Sequence, residues 1–297
     1  MISSAPLTLN QMVRLSGIEL GDVLVFRHRP REPSLNRMFP WLAAERPDLF
    51  DCYQSSHGAN TESALSRARY LASFIRHKPG QALFIGFYAV KSFRSLTVEA
   101  CLSRPLHREL MTLGLEGMKA TAGRKSVLEF DLPLMDWHSE WRGRLIINWP
   151  GLERSWYRWA DRNEFAIMAI AEESLLTPAM PPWEELSVAW NELAVLPSSW
   201  RTALSHWRGV YLIIDQSDGR QYVGSAYGAE NILQRWLHYS RTGHGGNKLL
   251  RQINPAHLRF SILQRVSPDL PDADVIRLES TWKDRLRTRA PYGLNEN

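Results

Sequence analysis

Two tyrosines in short glycine-containing motifs are the residues of this chain best suited to chemistry. Gly209-Val210-Tyr211 is followed, eleven residues after Tyr211, by Tyr222-Val223-Gly224. Asp218-Gly219 lies between the two apolar segments, and this dipeptide is typical of the turn in a β-hairpin. A phenol can donate or accept a proton, so the predicted hairpin would carry two groups able to take part in proton transfer.

The register of the hairpin decides what Tyr222 faces. If the turn centres on Asp218-Gly219, Tyr222 lies opposite Asp215, and a longer loop places it opposite Ile213. Side chains alternate along a strand, so in both registers Tyr222 points to the same face as Tyr211. The sequence therefore predicts two phenols on one face of a small sheet.

Two predicted helices follow the hairpin. The first covers Ala229 to Ser240, and in it Arg235 and Tyr239 are neighbours on one helix face. The second covers roughly Asp272 to Leu286, with Glu279 at the margin of its apolar stripe. A carboxylate in that position is costly unless a positive group meets it.

These residues, together with Asn295, resemble the five motifs of the GIY-YIG nuclease superfamily, in order and at ordinary spacing. The departures are valine for isoleucine at Val210 and Val223. The loop from Arg241 to Lys248 also resembles the loop that follows the arginine helix in bacterial restriction-type members. The resemblance covers roughly residues 197–297, and it implies an α/β domain in which a small antiparallel sheet is flanked by helices.

The resemblance implies a metal-dependent DNA endonuclease, and phosphodiester hydrolysis suits the residue types. Glu279 would be the protein ligand of Mg²⁺ (or Mn²⁺), which needs few carboxylates because it keeps bound waters. Arg235 would hold the phosphate with two parallel hydrogen bonds. Tyr211 is the candidate base, with a pKa lowered by nearby cations, while Tyr222 and Tyr239 would position water and phosphate.

Further candidates for contact with nucleic acid follow the arginine helix. His244, Asn247 and Lys248 lie in the glycine-rich loop, where Asn247 and Lys248 could contact backbone phosphate. His238 or His244 could assist the base. Asn295 is grouped with these residues, although we expect it to fix the site by side-chain hydrogen bonds rather than to join the chemistry.

Aromatic and arginine side chains alternate within a short segment of the N-terminal part. The segment contains Trp137, Trp141, Trp149, Trp156, Tyr157 and Trp159, interleaved with Arg142, Arg144, Arg154 and Arg158. Such a set can stack an exposed base while the cations hold its phosphates, and Trp156 and Trp159 are the candidates for this role. The alternative is that these rings fill a core and cover a sheet edge.

Charge is distributed unevenly along the chain, whose formal net charge is +5. Residues 201–297 hold 14 Lys and Arg against 9 Asp and Glu, whereas residues 1–200 hold 22 of each. Most of the C-terminal cations are arginines, which grip phosphate with a planar fork. DNA is therefore the expected partner, and a homodimer is left open.

The remaining composition favours a cytoplasmic protein with no membrane partner. No apolar run approaches the ~18 residues of a membrane span, and the N-terminus lacks a signal-peptide pattern. Cys52 and Cys101 give neither a disulfide framework nor a metal-binding spacing, so we expect buried, reduced thiols. His28, His57 and His138 also lack metal-like spacing and are expected to be surface or core residues.

The chain is long enough for two domains. We expect a strand-rich N-terminal recognition or assembly domain over residues 1–176, a linker and helical clamp over 177–199, and the nuclease-like domain over 200–297. The clamp would consist of a helix from Trp183 to Leu196 and a short helix from Trp200 to His206.

The N-terminal domain is predicted to be a mixed domain rich in strands, with a curled sheet or barrel and one or two helices. Strands are expected within residues 22–26, 82–90, 126–130, 143–149 and 165–171. One helix is expected from Thr61 to His77, with Leu65, Ala68, Leu71 and Phe74 on its core side.

The sequence leaves three functions open. A nuclease for restriction or defence against foreign, including modified, DNA is the first expectation, by analogy with bacterial proteins of this layout. The second is a structure-specific repair or recombination nuclease. The third is a non-catalytic DNA-binding protein on a nuclease scaffold.

Overall fold

The computed structural model describes residues 6–116, 124–151, 155–177, 179–228 and 230–296. Arg154, Pro178 and Ala229, which enter the sequence predictions, lie outside the described residues. The chain divides into two compact units, Met1–Pro178 and Ala179–Asn297. Both units combine helices with sheets, so the predicted α/β class is confirmed. Within the described ranges, no helix is long and apolar enough to cross a membrane.

The described part of the first unit contains strands and helices that we number along the chain. The strands are β1 Val23–His28, β2 Tyr70–Arg76, β3 Gln81–Ala89, β4 Ser92–Thr97, β5 Ser126–Asp131, β6 Leu134–Met135, β7 Leu145–Asn148, β8 Tyr157–Trp159 and β9 Ile167–Ile170. The helices are α1 Leu9–Leu15, α2 Pro33–Glu45, α3 Pro47–Gln54, α4 Ala59–Leu65, α5 Val98–Leu102 and α6 Pro105–Thr112.

The main sheet of this unit has the strand order β8-β1-β2-β3-β7-β9, and β6 also pairs with β3. β1 and β2 are parallel, and the other pairs of this sheet are antiparallel. Helices α2, α3 and α4 lie in the crossover that a parallel pair requires. Among the described residues no pairing joins the outer strands β8 and β9, so the strands form an open sheet and not the suggested barrel. β4 and β5 form a separate two-stranded sheet.

Each of the five predicted strand segments of this unit contains a strand, but the predicted helix from Thr61 to His77 is wrong. Helix α4 ends at Leu65, and strand β2 begins at Tyr70. The run from Leu71 to Ile75 is buried throughout, because β2 lies between two strands in the sheet. In a short run that is apolar throughout, the hydrophobic pattern has no period, so a strand buried on both faces cannot be distinguished from a helix. The four residues expected on the core side are nevertheless buried.

The second unit contains a four-stranded antiparallel sheet with the order β10-β13-β11-β12. Its strands are β10 Ser187–Ala189, β11 Arg208–Asp215, β12 Gln221–Ala226 and β13 Leu258–Val266. Its helices are α7 Ser198–Ser205, α8 Ile232–Thr242 and α9 Asp272–Leu286. The hairpin and the helices predicted around Arg235 and Glu279 are thus confirmed.

The segment from Trp183 to Leu196 is not the helix that the sequence predicts. It forms β10 and then a 3-10 helix over Trp190–Val195. Leu186, Val188 and Leu193 are buried in the core of the second unit, which explains their apolar spacing. This segment therefore belongs to the second unit.

The two faces of this sheet pack against different helices. Tyr211 and Ile213 lie in a core that includes Trp236 of α8. Val210 and Val223 face the other way and pack against the apolar side of α9. The hairpin β11–β12 therefore lies between the helices that carry Arg235 and Glu279.

The unit boundary changes the distribution of charge between the two parts of the chain. Three acidic residues, Glu184, Glu185 and Glu192, precede residue 201 but belong to the second unit. Residues 179–297 hold 14 basic and 12 acidic residues, and residues 1–178 hold 22 and 19. The positive excess is thus shared between the units, and the inference that only the C-terminal domain carries it is corrected.

Candidate functional site

The hairpin places its two tyrosines in the register of the longer loop. Tyr222 lies opposite Ile213, and Tyr211 lies opposite Gly224. The backbone N–H of Asp215 donates to the carbonyl of Arg220 at 2.9 Å and closes the loop. Asp215 also accepts hydrogen bonds from the backbone and hydroxyl of Ser217. Because Tyr211 and Tyr222 share strand parity, both point toward the α8 face, as predicted.

Two glycines of the motifs have structural reasons to be glycine. A Cβ at Gly224 would lie 2.5 Å from the phenol oxygen of Tyr211, so only glycine lets that ring cross β12. Gly209 has φ +149°, and a Cβ there would clash with the carbonyl of Gln264 on β13. The register of β11 against β13 shifts immediately afterwards, between Val210 and Tyr211. The glycines therefore fix where the first tyrosine lies.

Three phenols and one guanidinium converge on the α8 side of the hairpin. The hydroxyl oxygens of Tyr211 and Tyr239 are 3.2 Å apart. The ring centroid of Tyr239 is 6.1 Å from that of Tyr211 and 6.3 Å from that of Tyr222. Arg235, one turn before Tyr239 on α8, lies close enough to Tyr211 for their charges to affect each other's pKa. Four of the five predicted catalytic residues thus form one cluster, contributed by three elements.

Burial controls the protonation of this cluster. Tyr211 and Tyr239 are 0% and 1% exposed. Burial raises the pKa of Tyr211, Tyr222 and Tyr239 above the ordinary phenol range. Arg235 lowers the pKa of Tyr211, but by less than burial raises it. The predicted lowering of the Tyr211 pKa is therefore wrong, and in this structure Tyr211 is a neutral phenol that shares a hydrogen bond with Tyr239.

Arg235 is held from one side by an acidic residue. Its Nη1 donates to Oε2 of Glu230 at 3.0 Å, while its side chain remains 28% exposed. Its Nε is buried and has no hydrogen-bond partner within the described ranges. A guanidinium with exposed area and an unused donor is suited to bind a further anion.

Glu279 reaches the hairpin from the opposite face. One carboxylate oxygen accepts a hydrogen bond from the hydroxyl of Ser225, and Oε1 lies 2.8 Å from Nζ of Lys283. Ser225 alternates with Tyr222 and Gly224 along β12, so its side chain points to the α9 side. Burial raises the pKa of Tyr222, and the charge of Glu279 raises it further. Glu279 is therefore electrostatically coupled to the tyrosine cluster across β12.

Sequence reasoning missed both partners of Glu279. A serine in a strand carries no signal of its own, and Ser225 is one of many small polar residues. Lys283 could have been found, because a lysine one turn after a glutamate is a common helix pair. The positive group expected near this carboxylate is thus Lys283 of the same helix.

Asn295 is a structural residue of this site. It is 2% exposed. Its Nδ2 donates to the carbonyl of Val223 at 2.8 Å, and its Oδ1 accepts from the backbone N–H of Val223 at 2.9 Å. The N–H of Leu294 donates to the carbonyl of Gln221. This segment therefore covers the outer edge of β12, and the grouping of Asn295 with nucleic-acid contacts is corrected.

Of the three residues in the loop after α8 that were predicted to contact nucleic acid, one is a cation that faces solvent. Asn247 is engaged internally, since its Oδ1 accepts from the N–H of Leu250 and its Nδ2 donates to the carbonyl of Leu294. His244 accepts from the N–H of Gly246 through Nδ1. Lys248 is 76% exposed, with its Nζ 3.7 Å from a carboxylate oxygen of Glu296. Lys248 remains the best placed of the three to meet phosphate.

The aromatic–arginine segment of the first unit is mainly a packing element. Trp137 and Trp149 are buried in the core. Trp159 is half-buried and lies beneath the guanidinium of Arg67, 6.0 Å from its ring centroid. Trp156 is half-buried against Phe26, at 4.9 Å between ring centroids. The core interpretation therefore accounts for most of this segment, and Trp156 is the candidate that also borders open space.

The residues that could hold a metal are few. In the described part of the chain, no three His, Cys, Asp or Glu side chains come together as a metal-binding group. Mg²⁺ can be held by one or two carboxylates when it keeps its waters. Glu279 with Ser225 fits that minimal set, once the ammonium of Lys283 leaves the carboxylate.

Comparisons with protein-family models, curated proteins and solved structures give no match to this chain. The assignment of a function therefore depends on the geometry of the site.

Proposed function

We propose that this protein is a metal-dependent DNA endonuclease that hydrolyses phosphodiester bonds with its second unit. The supporting observation is the convergence of Tyr211, Tyr222, Arg235 and Tyr239 in one cluster, to which Glu279 is electrostatically coupled across β12. Their order in the chain is that of the GIY-YIG motifs. Each residue alone would suit a packing or surface role, and their convergence favours a catalytic one.

Arg235 is the group that binds the scissile phosphate in this proposal. Its ion pair with Glu230 keeps the guanidinium in place and is partly exposed, so a phosphate can compete for it. Its fixed planar fork suits two oxygens of one phosphate. Tyr211, neutral because its pKa is raised by burial, lies next to the guanidinium without adding a negative charge that would compete with phosphate.

Tyr222 and Tyr239 complete the donor set. Tyr239 is hydrogen-bonded to Tyr211 and packs against the ring of Tyr222, so its hydroxyl is oriented before the substrate arrives. Tyr222 is the least buried of the three phenols. It is also the one whose pKa is raised by the charge of Glu279. It is therefore better placed than Tyr211 to contact the attacking water. Oriented donors stabilise charge that grows on phosphate oxygens without reorganising during the reaction.

Glu279 would hold the divalent ion, with the Ser225 hydroxyl orienting its carboxylate. Mg²⁺ or Mn²⁺ bound there would neutralise charge on the phosphate and the leaving oxygen. Lys283 must release the carboxylate for binding, and the same ammonium can then approach the phosphate.

The pair of Glu279 and Lys283 is also the observation that favours a second candidate. A carboxylate already neutralised by lysine suits a non-catalytic DNA-binding protein on the same scaffold. A cytoplasmic location and a role in defence against foreign DNA belong to the main proposal and follow from the expected substrate. A repair nuclease would use the same site on a DNA structure.

The decisive experiment incubates the full chain with Mg²⁺ and with unmodified, methylated and hydroxymethylated DNA, and maps any cuts. The proposal expects cleavage that EDTA abolishes. The matched variants are Tyr239→Phe, which should be impaired, and Tyr292→Phe, whose ring is 69% exposed and should not matter. Metal-independent binding of DNA without any cleavage would favour the non-catalytic candidate.

A further inference from the structure

The first unit contains a cavity of about 850 Å³ that lies apart from the tyrosine cluster in the chain. It is lined by residues from the end of β1, from the crossover after it and from the segment before β8, and also by His107 of α6 and Leu115. Its size falls within the range of small-molecule and cofactor pockets, roughly 300–1,000 Å³. The chemistry of its lining residues therefore indicates which class of ligand would fit.

Two neutral imidazoles lie beside this cavity. The rings of His28 and His57 are 6.3 Å apart and nearly parallel, at 17°. Burial lowers the pKa of His28 to about 3 and that of His57 to about 4, so both are uncharged at neutral pH. Gln54 opposes this lowering of the pKa, through its side chain at His28 and through its backbone at His57, but by less than burial lowers it.

The second nitrogen of each ring is unused. Nε2 of His28 and Nε2 of His57 are buried and have no hydrogen-bond partner in the part of the chain that the structure describes. Each neutral ring carries one proton, and the nitrogen without it is a hydrogen-bond acceptor. A neutral ring that donates from Nδ1 has an acceptor at Nε2. Buried acceptors without partners are rare in folded proteins, and a ligand beside them is one explanation.

Aromatic side chains provide flat surfaces at the same place. The ring centroid of Trp156 is 5.3 Å from that of His57 and 6.0 Å from that of His28. Tyr53 lies 5.6 Å from His28. Trp156 and Tyr53 both line the cavity and are only partly buried. Such side chains stack well on planar heterocycles.

The charge around the cavity is positive. Three arginines, Arg27, Arg29 and Arg31, line it together with one carboxylate, that of Glu32. Arg29 and Arg31 are exposed, so an anionic group that enters the cavity from solvent can reach them. Guanidinium groups match the geometry of phosphate oxygens. The ligand should therefore combine a planar ring with a phosphate.

We propose that this cavity binds one nucleotide, with the base stacked on Trp156 and the phosphate held by Arg29 and Arg31. The acceptors of His28 and His57 suit a base whose edge carries an amino group, as adenine, cytosine and guanine do. The nucleotide is either unstacked from a nucleic acid strand or free in solution. The strand source rests on the proposed function, whereas the nucleotide site itself does not.

The test measures binding by the full chain in EDTA, where no metal-dependent cleavage occurs. The probes are fluorescein-labelled single-stranded oligonucleotides, one of alternating A and C and one of T alone, followed by fluorescence anisotropy. Unlabelled AMP and CMP, with their deoxy forms, serve as competitors. Trp156→Ala and Arg31→Gln should each weaken binding of the A/C strand roughly tenfold, as expected for the loss of a stack or a phosphate contact.

Matched controls come from the same unit. Trp141→Ala removes a half-buried tryptophan that stacks on His138, at 3.8 Å between ring centroids, outside the cavity. Arg162→Gln removes an exposed arginine next to Asp161. Both controls should bind like the unmodified protein. Melting temperatures verify folding, and Arg31→Gln, at an exposed position, decides the case if Trp156→Ala unfolds.

The outcomes separate the two sources and the two proposals. Competition by free nucleotides supports a free ligand, and Trp156-dependent binding of the A/C strand without such competition supports a strand source. Equal binding of all variants, absence of nucleotide binding, or no preference for the A/C strand over the T strand overturns the inference. Nucleotide binding without DNA cleavage in Mg²⁺ refutes only the proposed function, and cleavage without Trp156-dependent binding refutes only this inference.

Discussion

Lys283 follows Glu279 by one turn of α9, and its ammonium nitrogen lies 2.8 Å from a carboxylate oxygen of that residue. Both side chains are largely buried, at 11% and 16% exposure. Water screens such a pair less than one on the surface, so the two charges depend strongly on each other. The divalent ion proposed at Glu279 would therefore have to compete with a cation that the helix itself supplies.

Replacing Lys283 by methionine should strengthen metal binding. Lys283→Met leaves the Glu279 carboxylate without its ammonium partner, so the apo protein should melt at a lower temperature and Mg²⁺ should restore it. Thermal melts over a Mg²⁺ titration measure this effect without any substrate. Lys248→Met removes an exposed lysine and should give the melting curve of the unmodified protein. A Lys283→Met variant that melts independently of Mg²⁺ would contradict the assignment of Glu279 as ligand.

Glu279→Gln tests the proposed metal ligand directly, by removing the charge of its carboxylate. Glutamine keeps the shape and the contact with Ser225 but removes the charge that a divalent ion needs. Cleavage should fall by several orders of magnitude, while DNA binding in EDTA should persist. Asp274→Asn, on the same helix and paired with Arg277, is the control and should cleave normally. Near-normal cleavage by Glu279→Gln would contradict the assignment of Glu279 as the metal ligand.

Arg235→Lys should be severely impaired even though it keeps the positive charge. Lysine lacks the planar fork and cannot hold two phosphate oxygens in the same geometry. Single-turnover cleavage rates measure the loss, about 10²–10³-fold if the arginine stabilises transition-state charge. Arg241→Lys changes an exposed arginine of the same helix and should keep the rate. Full activity in Arg235→Lys would mean that charge alone is sufficient.

The tyrosine cluster should make the second unit sensitive to alkali. The pKa of Tyr211 is raised by burial, so its neutral form stabilises the fold fully below the ordinary phenol pKa of about 10. As the pH rises further, the unfolded chain ionises first, and stability falls by up to about 1.4 kcal/mol per pH unit for each such phenol. Urea unfolding followed at pH values from 8 upward measures the slope. Tyr211→Phe should reduce it, whereas Tyr292→Phe, at an exposed position, should not. An unchanged slope in Tyr211→Phe would contradict a buried neutral phenol.

Asn295→Ala should lower both stability and activity. The backbone N–H and C=O of Val223 would lose their partners, at a cost of about 1–3 kcal/mol for each buried group left unpaired. Strand β12 would then be less fixed, and cleavage should fall although no contact with DNA is removed. Glu296→Gln changes the neighbouring partly exposed residue and is the control. Normal melting of Asn295→Ala would show that the strand edge does not need this amide.

Local signals in the sequence were sufficient for the elements that carry the cluster. Asp-Gly between apolar runs predicted the hairpin, and the period of Val275, Leu278, Trp282 and Leu286 predicted α9 with its observed ends. These patterns depend on neighbours in the chain, which the sequence displays directly. Strand and helix periods placed Tyr211 with Tyr222 on one sheet face and Arg235 with Tyr239 on one helix face, whereas the meeting of these two faces was implied only by the family resemblance.

The features that could not be predicted depend on burial and on distant partners. The pKa of Tyr211 was expected to fall because cations are near, yet the ring is enclosed by its own sheet and helix, and desolvation dominates. The strand from Tyr70 to Arg76 is apolar on both faces because both faces are covered, so its sequence lacks the alternation that would have distinguished it from a helix. The cavity is lined by Trp156 and by residues of β1 that lie more than a hundred positions away in the chain. Local sequence patterns do not indicate contacts between residues so far apart.

The bonds between Asn295 and Val223 span 72 positions of the chain, and this separation has a consequence during synthesis. At roughly 5–20 residues per second, a ribosome needs roughly 4–14 s to make the chain between these residues. During that interval the nascent chain first carries the tyrosine hairpin and then also the arginine of α8, while the edge of β12 is uncovered. A nuclease built in this way would reach its active form only after translation has passed residue 295, and abandoned shorter chains would pose little danger to the genome of the cell that makes them.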